Sequence, residues 1–189
     1  MMMTPDSVLN DLHAWSVTPA DDGARYSLET FRGLVHEYGE GALFKGGHPM
    51  HLTSSLFVLS TDLTEVLLTF HKKAEMWLQF GGHLEREDAS LAAAAWREGS
   101  EESGLEAFAD FSPIPSDIDI HELGGGFGAI CREHWDVGFV ALAERDAVVV
   151  VSDESHDVRW FPVDQLPDSG AGDMNPRVRT AVNHARSHF

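Results

Sequence analysis

Cysteine and basic residues are both scarce in this chain. Cys131 is the single cysteine among 189 residues, so no internal disulfide can form and a reducing compartment such as the cytoplasm is expected. Lysine and arginine number 13 against 31 aspartates and glutamates, which gives a formal net charge of -18. Such a chain repels nucleic-acid backbones and anionic membranes. A nucleic-acid polymer and a membrane surface are therefore not expected as partners.

Long apolar runs are also absent. No stretch of about 18 consecutive apolar residues occurs, so no transmembrane helix is expected, and the first residues lack the basic cluster of a signal peptide. The apolar content of 43% is ordinary for a globular protein. The length fits one domain with a small extension. An acidic chain of this kind can still act on an anionic substrate if a metal cation lies between the two.

Periodicity predicts helices towards both ends of the chain and mainly strands between them. Helices are predicted over residues 5–15, 27–38, 91–103 and 175–187. Strands are predicted over residues 56–60, 66–70, 77–80, 118–123, 137–142, 148–151 and 158–161. This mixture predicts an α/β or α+β fold in which helices cover a sheet.

Three glutamates are predicted to share one face of the helix over residues 91–103. Glu98, Glu101 and Glu102 are three and four residues apart, a spacing that brings side chains together on a helix. Their like charges repel one another, and the negative end of the helix dipole disfavours them further. A hard divalent cation with oxygen ligands reverses both effects. The alternative is that the glutamates form an ordinary solvated helix surface. The adjacent arginine and glycines make this the weaker interpretation.

The segment that contains these glutamates resembles the Nudix box, G-x5-E-x7-R-E-U-x-E-E-x-G-U, where U is aliphatic. The matching positions are Gly82, Arg97, Glu98, Glu101, Glu102, Gly104 and Leu105. The similarity extends over about residues 50–168. It includes the Trp-Leu-Gln-Phe run before Gly81 and the Val-Arg-Trp-Phe-Pro run from Val158.

Three departures from the box occur. Asp88 stands where the pattern has its first glutamate, and eight residues instead of seven separate it from Arg97. Gly99 replaces an aliphatic residue, where a small residue permits close packing. The extra residue lies where a loop meets the helix, and Asp88 or Ser90 is expected to cap that helix. The metal-binding half of the box is left intact.

The resemblance implies a Nudix-type α/β/α sandwich around a mixed β-sheet. Residues 48–189 would form the hydrolase domain with a C-terminal helix, and residues 1–47 an N-terminal helical extension. The implied reaction is Mg²⁺- or Mn²⁺-dependent cleavage of a phosphoanhydride bond in a nucleoside diphosphate linked to another moiety, or in a related nucleotide. The implied partner is a small-molecule nucleotide or diphosphate.

The resemblance also implies roles for individual residues. The three glutamates and the carbonyl oxygen of Gly81 would bind the metal, and Arg97 would orient the glutamates. The general base would be Glu102 or Glu154, a loop acid that precedes the last predicted strand. The sequence leaves the choice between these two open.

A second group of polar residues flanks the glycine-rich segment 124–126. His134 and Asp136 share a strand face if a strand begins there, and His121 lies on the other side of the segment. One interpretation is that the three residues bind substrate phosphate or a second metal. The other is that they are exposed or structural. Cys131, without an evident partner, is predicted to be a loop or small core residue.

Two rival functions and one structural question accompany this interpretation. A non-hydrolytic Nudix-fold protein, such as a diphosphate isomerase, would commonly need a cysteine near the metal, and Cys131 lies in the wrong region. A nucleotide-binding sensor would be favoured by an eroded box, and this box keeps its acids. In the extension, an apolar stripe from Leu28 to Val35 is predicted to pack on the core or on a second subunit, so a homodimer is one expected arrangement.

Overall fold

The computed structural model describes residues 2–16, 22–123, 131–168 and 174–189. The helices are α1 (Pro5–Ser16), α2 (Asp22–Tyr38), α3 (Leu91–Ser103) and α4 (Met174–His188), with a 3-10 turn at Gly39–Ala42 after α2. The strands are β1 (Met50–Ser60), β2 (Glu65–His71), β3 (Met76–Leu78), β4 (Phe80–His83), β5 (Asp110–Glu122), β6 (Glu133–Ala143) and β7 (Ser155–Pro162). All four predicted helices are confirmed.

The strands form one mixed sheet in the order β3-β2-β1-β6-β5. β1 and β6 are parallel along their whole length, and the other pairs are antiparallel. β4 pairs with the first half of β1, from Thr53 to Leu56, and β2 pairs with its second half, at Val58 and Leu59. The short strand β4, which carries Gly81 and Gly82, is therefore held at the centre of the molecule by β1.

Alternation along β1 divides the sheet into two covered faces. Leu56 and Val58 belong to the core that includes α3, whereas Phe57 and Leu59 belong to the core under α4. Successive side chains of a strand point to opposite faces, so α3 and α4 lie on opposite sides of the sheet. The predicted α/β/α sandwich around a mixed sheet is confirmed.

The N-terminal helices pack on the α3 side of the sandwich. Phe31 of α2 is fully buried, with its ring centroid 5.2 Å from that of Trp135 on β6. In α1, the Asp11 carboxylate accepts a 2.8 Å hydrogen bond from the backbone N–H of Leu91, at the start of α3. The predicted packing of the extension on the core is confirmed, while the domain boundary at residue 47 stays a prediction.

The strand predicted over residues 148–151 is wrong. Val148 and Val150 are 80% and 57% exposed, and the segment has no strand assignment. The backbone N–H of Val150 donates instead to the carbonyl of Ser103, 2.8 Å away, so the segment covers the end of α3.

Residues 124–126 lie outside the described ranges. No helix within those ranges has the length and apolar character needed to cross a membrane.

Candidate active site

Local capping interactions fix both ends of α3. Ser90, at the N-cap, accepts a 3.0 Å hydrogen bond from Ala93 N, which satisfies one of the free N–H groups of the first turn. Gly104 ends the helix in the left-handed conformation with φ 68°, and its N–H donates to Ser100 O at 2.9 Å. The cap is therefore Ser90, and Asp88 is available for another role.

Three glycines let the helix and its loop approach the sheet closely. A Cβ at Gly99 would collide with Leu56 on β1, and one at Gly82 would lie 2.6 Å from Glu98 Oε1. A Cβ at Gly81 would lie 2.7 Å from that of Ser55. The glycine in the aliphatic position of the box is thus explained by close packing of α3 on β1, and Gly82 leaves the space that the Glu98 carboxylate occupies.

Asp88 and Arg97 form a bidentate ion pair at the base of the site. Arg97 Nε and Nη2 donate to the two Asp88 oxygens at 2.9 and 3.0 Å, and Asp88 is buried. Arg97 also donates to Glu98 Oε1 at 2.8 Å and to the His83 carbonyl at 3.1 Å. The hydrogen bond to Asp88 is the main cause that raises the pKa of Arg97. Despite the extra residue, the aspartate at the first-acid position thus pairs with the arginine that donates a hydrogen bond to Glu98.

The three box glutamates differ in exposure. The side chains of Glu98 and Glu101 are 15% and 62% exposed, and Glu102 as a whole residue is 5% exposed. Glu102 Oε2 accepts a 2.9 Å hydrogen bond from Gly81 N. Burial raises the pKa of Glu102 to about 8, with a further contribution from the charge of Glu98, and burial also raises the pKa of Glu98. In the absence of a cation both carboxylates are therefore destabilised as anions.

A fourth acid and a histidine reach the box glutamates from the β2–β7 part of the sheet, on the same side as α3. Donor atoms of His71, Glu102 and Glu154 all lie within 4.8 Å of one another. The pairing of β2 with β7 sets His71 opposite Ser155, and Lys72 N donates to Glu154 O at 2.9 Å. The structure thus brings Glu154 to the box glutamates. Sequence reasoning missed His71, because only strand pairing reveals its position.

The tautomer of His71 follows from its hydrogen bond. His71 Nδ1 lies 3.1 Å from the backbone N–H of Ala74 and accepts from it, and burial lowers the pKa of this histidine. The neutral ring therefore carries its proton on Nε2. In this form His71 is a hydrogen-bond donor towards a carboxylate or a phosphate, and the metal-binding chemistry of the site rests on oxygen.

We refer to Glu98, Glu101, Glu102 and Glu154 as the carboxylate site. Its donors are hard oxygen atoms on a rigid helix and one loop, which suits Mg²⁺ or Mn²⁺. Burial raises the pKa of both Glu98 and Glu102, so a positive charge beside them would stabilise their anionic forms. A divalent cation supplies that charge, so these residues fit the metal that the resemblance implies.

The comparison with protein families agrees with this geometry. The NUDIX domain family matches residues 49–181, which is more than half of the chain. The chain belongs to the Nudix family. Family membership and the carboxylate site together make it a Nudix-type pyrophosphohydrolase that acts on acid anhydrides. No curated protein sequence matches the chain.

Solved structures of other Nudix proteins share the fold. A C. elegans Ap4A hydrolase aligns with a TM-score of 0.59 and 16% identity over 73% of this chain and 98% of its own. The E. coli dihydroneopterin triphosphate pyrophosphohydrolase gives 0.58 and 14%, over 75% and 99%. The NUDIX domain of Shewanella oneidensis NrtR, in complex with ADP ribose, gives 0.50 and 21%, over 71% and 87%. At these identities the likeness concerns the fold alone.

The three residues predicted to bind substrate lie on the other face of the Nudix sheet. Asp136 accepts from Ser55 Oγ at 2.6 Å, from Thr53 Oγ1 at 3.0 Å and from Arg177 Nη2 at 2.6 Å. This buried ion pair joins α4 to the sheet. His121 is 3.0 Å from Asp119 through Nδ1 and Oδ2. Substrate binding by these residues stays a prediction.

The third of these residues, His134, belongs to a second group of side chains that could bind a metal. The group, called here the histidine–cysteine cluster, consists of His51, His83, Cys131 and His134. Burial lowers the pKa of His83 to about 4 and that of His134 to about 3, so both rings are neutral near pH 7. Of the cluster, sequence reasoning singled out His134 alone as a ligand candidate.

Proposed function

We propose that this Nudix protein hydrolyses a phosphoanhydride bond in a nucleoside diphosphate linked to another moiety, or in a related nucleotide, with Mg²⁺ or Mn²⁺. The observation that carries the proposal is the meeting of Glu102 and Glu154. Their carboxylates and the ring of His71 lie within 4.8 Å of one another, although they come from three separate parts of the chain. A buried acid that accepts a backbone N–H and faces a second acid is typical of a cation site.

The metal would be held by Glu98, Glu101, Glu102 and the carbonyl oxygen of Gly81. When bound, the cation would supply neutralisation of the diphosphate charge and a lowered pKa for the attacking water. The remaining contributions come from the side chains of this chain.

Two contacts hold the acids in position. Arg97 is fixed by Asp88 and donates to Glu98 at 2.8 Å. The N–H of Gly81 donates to Glu102 at 2.9 Å. Both contacts leave the second oxygen of each glutamate free to turn towards a ligand. Such preorganisation is worth more in a partly buried site than in water.

Glu154 is the general base in this proposal. It lies on the loop before β7 and is exposed, so a water molecule can reach it, whereas Glu102 is buried and bonded to Gly81. The water oxygen attacks phosphorus, its proton passes to Glu154, and the bridging P–O bond breaks. The products are a nucleoside monophosphate and a second phosphate compound. His71, whose neutral ring carries its proton on Nε2, would donate to Glu154 or to a phosphate oxygen.

The proteins of similar fold support this class of substrate. The three similar structures are an Ap4A hydrolase, a dihydroneopterin triphosphate pyrophosphohydrolase and a NUDIX domain in complex with ADP ribose, and each of these compounds contains a phosphoanhydride. The alternative is a sensor that binds a nucleotide without turnover. The complete set of box acids in this chain favours hydrolysis. Cys131 belongs to the histidine–cysteine cluster and not to the carboxylate site, which disfavours the isomerase.

A product screen with magnesium tests the proposal. Purified protein would be incubated with nucleoside diphosphate sugars, ADP-ribose, dinucleotides and nucleoside triphosphates, and phosphate-containing products would be separated and quantified. We expect one group to be cleaved, with activity lost in Glu102→Gln and kept in Glu106→Gln, an exposed glutamate beyond the helix. Tight nucleotide binding with no more product than Glu102→Gln forms would favour the sensor.

A further inference from the structure

The histidine–cysteine cluster is a separate feature from the carboxylate site. Its four candidate donor atoms, one from each residue, all lie within 4.8 Å of one another. His51 is fully buried, and Cys131 and His134 are buried or half-buried. Three imidazoles and one thiol form a donor set of nitrogen and sulfur, which suits zinc far better than magnesium.

The sheet places these side chains on one face. His51 on β1 is directly opposite His134 on β6, and His83 on β4 is opposite Thr53 on β1. Thr53 and His51 are two residues apart on one strand and therefore share a face. That face is opposite α3, because Ser54, which points the other way, donates to the carbonyl of Leu91. Cys131 lies just before β6, beside the strand ends.

The spacing of the three rings matches a tetrahedral metal centre. The ring centroids are 5.1 Å apart for His51 and His83, 5.1 Å for His51 and His134, and 5.0 Å for His83 and His134. Three imidazoles around one zinc ion, at Zn–N distances of about 2.0–2.1 Å and tetrahedral angles, have centroids about 5.2 Å apart. The rings form a nearly equilateral triangle of the size that a shared ion requires.

Two nitrogens in the triangle are buried without a hydrogen bond. They are Nε2 of His51 and Nε2 of His83. His51 Nδ1 lies 3.0 Å from the carbonyl of His48 and must donate to it, so the lone pair of this neutral ring is on Nε2. Buried polar atoms normally have partners, and metal-bound histidines usually donate their other N–H to a carbonyl or carboxylate. Both properties are those of a histidine arranged for a metal.

We propose that the histidine–cysteine cluster binds one zinc ion through three histidine nitrogens and the Cys131 thiolate. Four protein ligands close the coordination sphere, so the role is structural. The ion would fasten β4 to β1 and β6 from the face opposite α3. The His83 carbonyl accepts from Arg97 at 3.1 Å, so the same short strand that the ion fastens also supports the arginine of the carboxylate site.

Metal content and cobalt spectroscopy test the proposal on the full chain. The untagged protein, purified under reducing conditions without chelator, is expected to contain about one zinc per chain by mass spectrometry. Replacing zinc with Co²⁺ should give the visible bands of a tetrahedral ion and a thiolate charge-transfer band in the near ultraviolet. Cys131→Ser should abolish the charge-transfer band.

Matched variants separate the ligands from their neighbours. His51→Gln and His134→Gln should each weaken zinc binding about 100-fold or more, since even loss of an outer partner costs 10- to 100-fold. His121→Gln should keep full zinc, although its ring is 5.6 Å from that of His134. Equal zinc content and equal cobalt spectra in wild type, His51→Gln and Cys131→Ser would overturn the proposal.

A measurement on the unaltered protein keeps the test valid if a variant fails to fold. Zinc-loaded wild type should react with an alkylating agent at Cys131 at least 10-fold more slowly than the zinc-free protein, and unfold at a higher temperature. Equal rates for the two forms would refute thiolate coordination. Glu102→Gln should retain zinc while losing hydrolysis. A wild-type protein that hydrolyses its substrate but binds no zinc would refute the zinc site. A wild-type protein that binds zinc but hydrolyses nothing would refute the proposed function.

Discussion

The two faces of the central sheet carry two groups of candidate metal-binding side chains with different chemistry. The carboxylate site, on the side of α3, offers oxygen atoms and is partly open, with Glu101 and Glu154 exposed. The histidine–cysteine cluster, on the side of α4, offers nitrogen and sulfur and is largely closed. Hard, open sites suit an exchangeable Mg²⁺ that works with substrate, whereas closed nitrogen–sulfur sites suit zinc. Arg97 and His83 join the two faces through one hydrogen bond.

Metal removal and selective replacement should produce the largest effect. Excess EDTA is expected to abolish hydrolysis, because the buried carboxylates then repel the anionic substrate. Millimolar magnesium should restore the activity of the treated protein, while zinc at one equivalent should not. Product formation is the readout. Undiminished turnover in EDTA would contradict a metal-dependent reaction. Full recovery with zinc alone would show that zinc, and not magnesium, supports the hydrolysis.

Loss of single acids should come next in size. Glu102→Gln and Glu101→Gln are each expected to lower turnover about 100-fold or more, because each removes ligand charge. Folding should be unaffected, since like-charge repulsion is relieved. Steady-state kinetics at saturating magnesium and thermal unfolding of the metal-free protein check both statements. Near-wild-type turnover in either variant would show that the substituted glutamate is not a metal ligand.

The buried acid should make the metal-free protein less stable as pH rises. The pKa of Glu102 is about 8 in the folded chain and close to 4.5 when unfolded, so between these values the folded state binds more protons. Stability therefore falls from about pH 4.5 to about pH 8, by on the order of 5 kcal/mol. Urea unfolding in chelator at several pH values measures this slope. Glu102→Gln should flatten it, and an unchanged slope in that variant would show that other groups are responsible.

The ion pair between Asp88 and Arg97 should make a smaller contribution, mainly to the free energy of unfolding. Asp88→Ala removes two hydrogen bonds between charged groups and is expected to lower the free energy of unfolding by about 2 kcal/mol. Turnover should also fall, because Arg97 would no longer be held in position to orient Glu98. Asp88→Glu, which restores a carboxylate, is the control and should recover part of both. Unchanged stability in Asp88→Ala would mean that water replaces the aspartate at little cost.

The hydrogen bond from the N-terminal extension should make the smallest contribution to the free energy of unfolding. Asp11→Ala removes the acceptor for Leu91 N and is expected to lower the free energy of unfolding by about 1 kcal/mol, as for other lost helix caps. Asp11→Asn keeps an acceptor and should lose less. Denaturant unfolding of the three proteins decides this. Equal stability of all three would indicate that the hydrogen bond is not formed in solution.

Helical periodicity by itself determined the centre of the carboxylate site. Glu98, Glu101 and Glu102 lie within one helix, where a spacing of three or four residues fixes the relative position of side chains. The bounds of α3 followed from the same local rules, with a serine before it and a glycine after it. Patterns of this kind need no knowledge of distant residues. The β propensity of residues 148–151 was not sufficient, because a strand also needs a neighbour with which to pair.

Tertiary structure alone decided which distant residues meet. His71 reaches Glu154 through the pairing of β2 with β7, and Asp88 finds Arg97 across the loop that holds the extra residue. The histidine–cysteine cluster unites residues of three strands and a strand end that lie up to 83 positions apart, from His51 to His134. No period in the sequence encodes such distances, because strand order and register are set by packing of the whole sheet. The sequence by itself specified the helix with its three glutamates, and the folded sheet specified which residues lie beside that helix and which form the histidine–cysteine cluster.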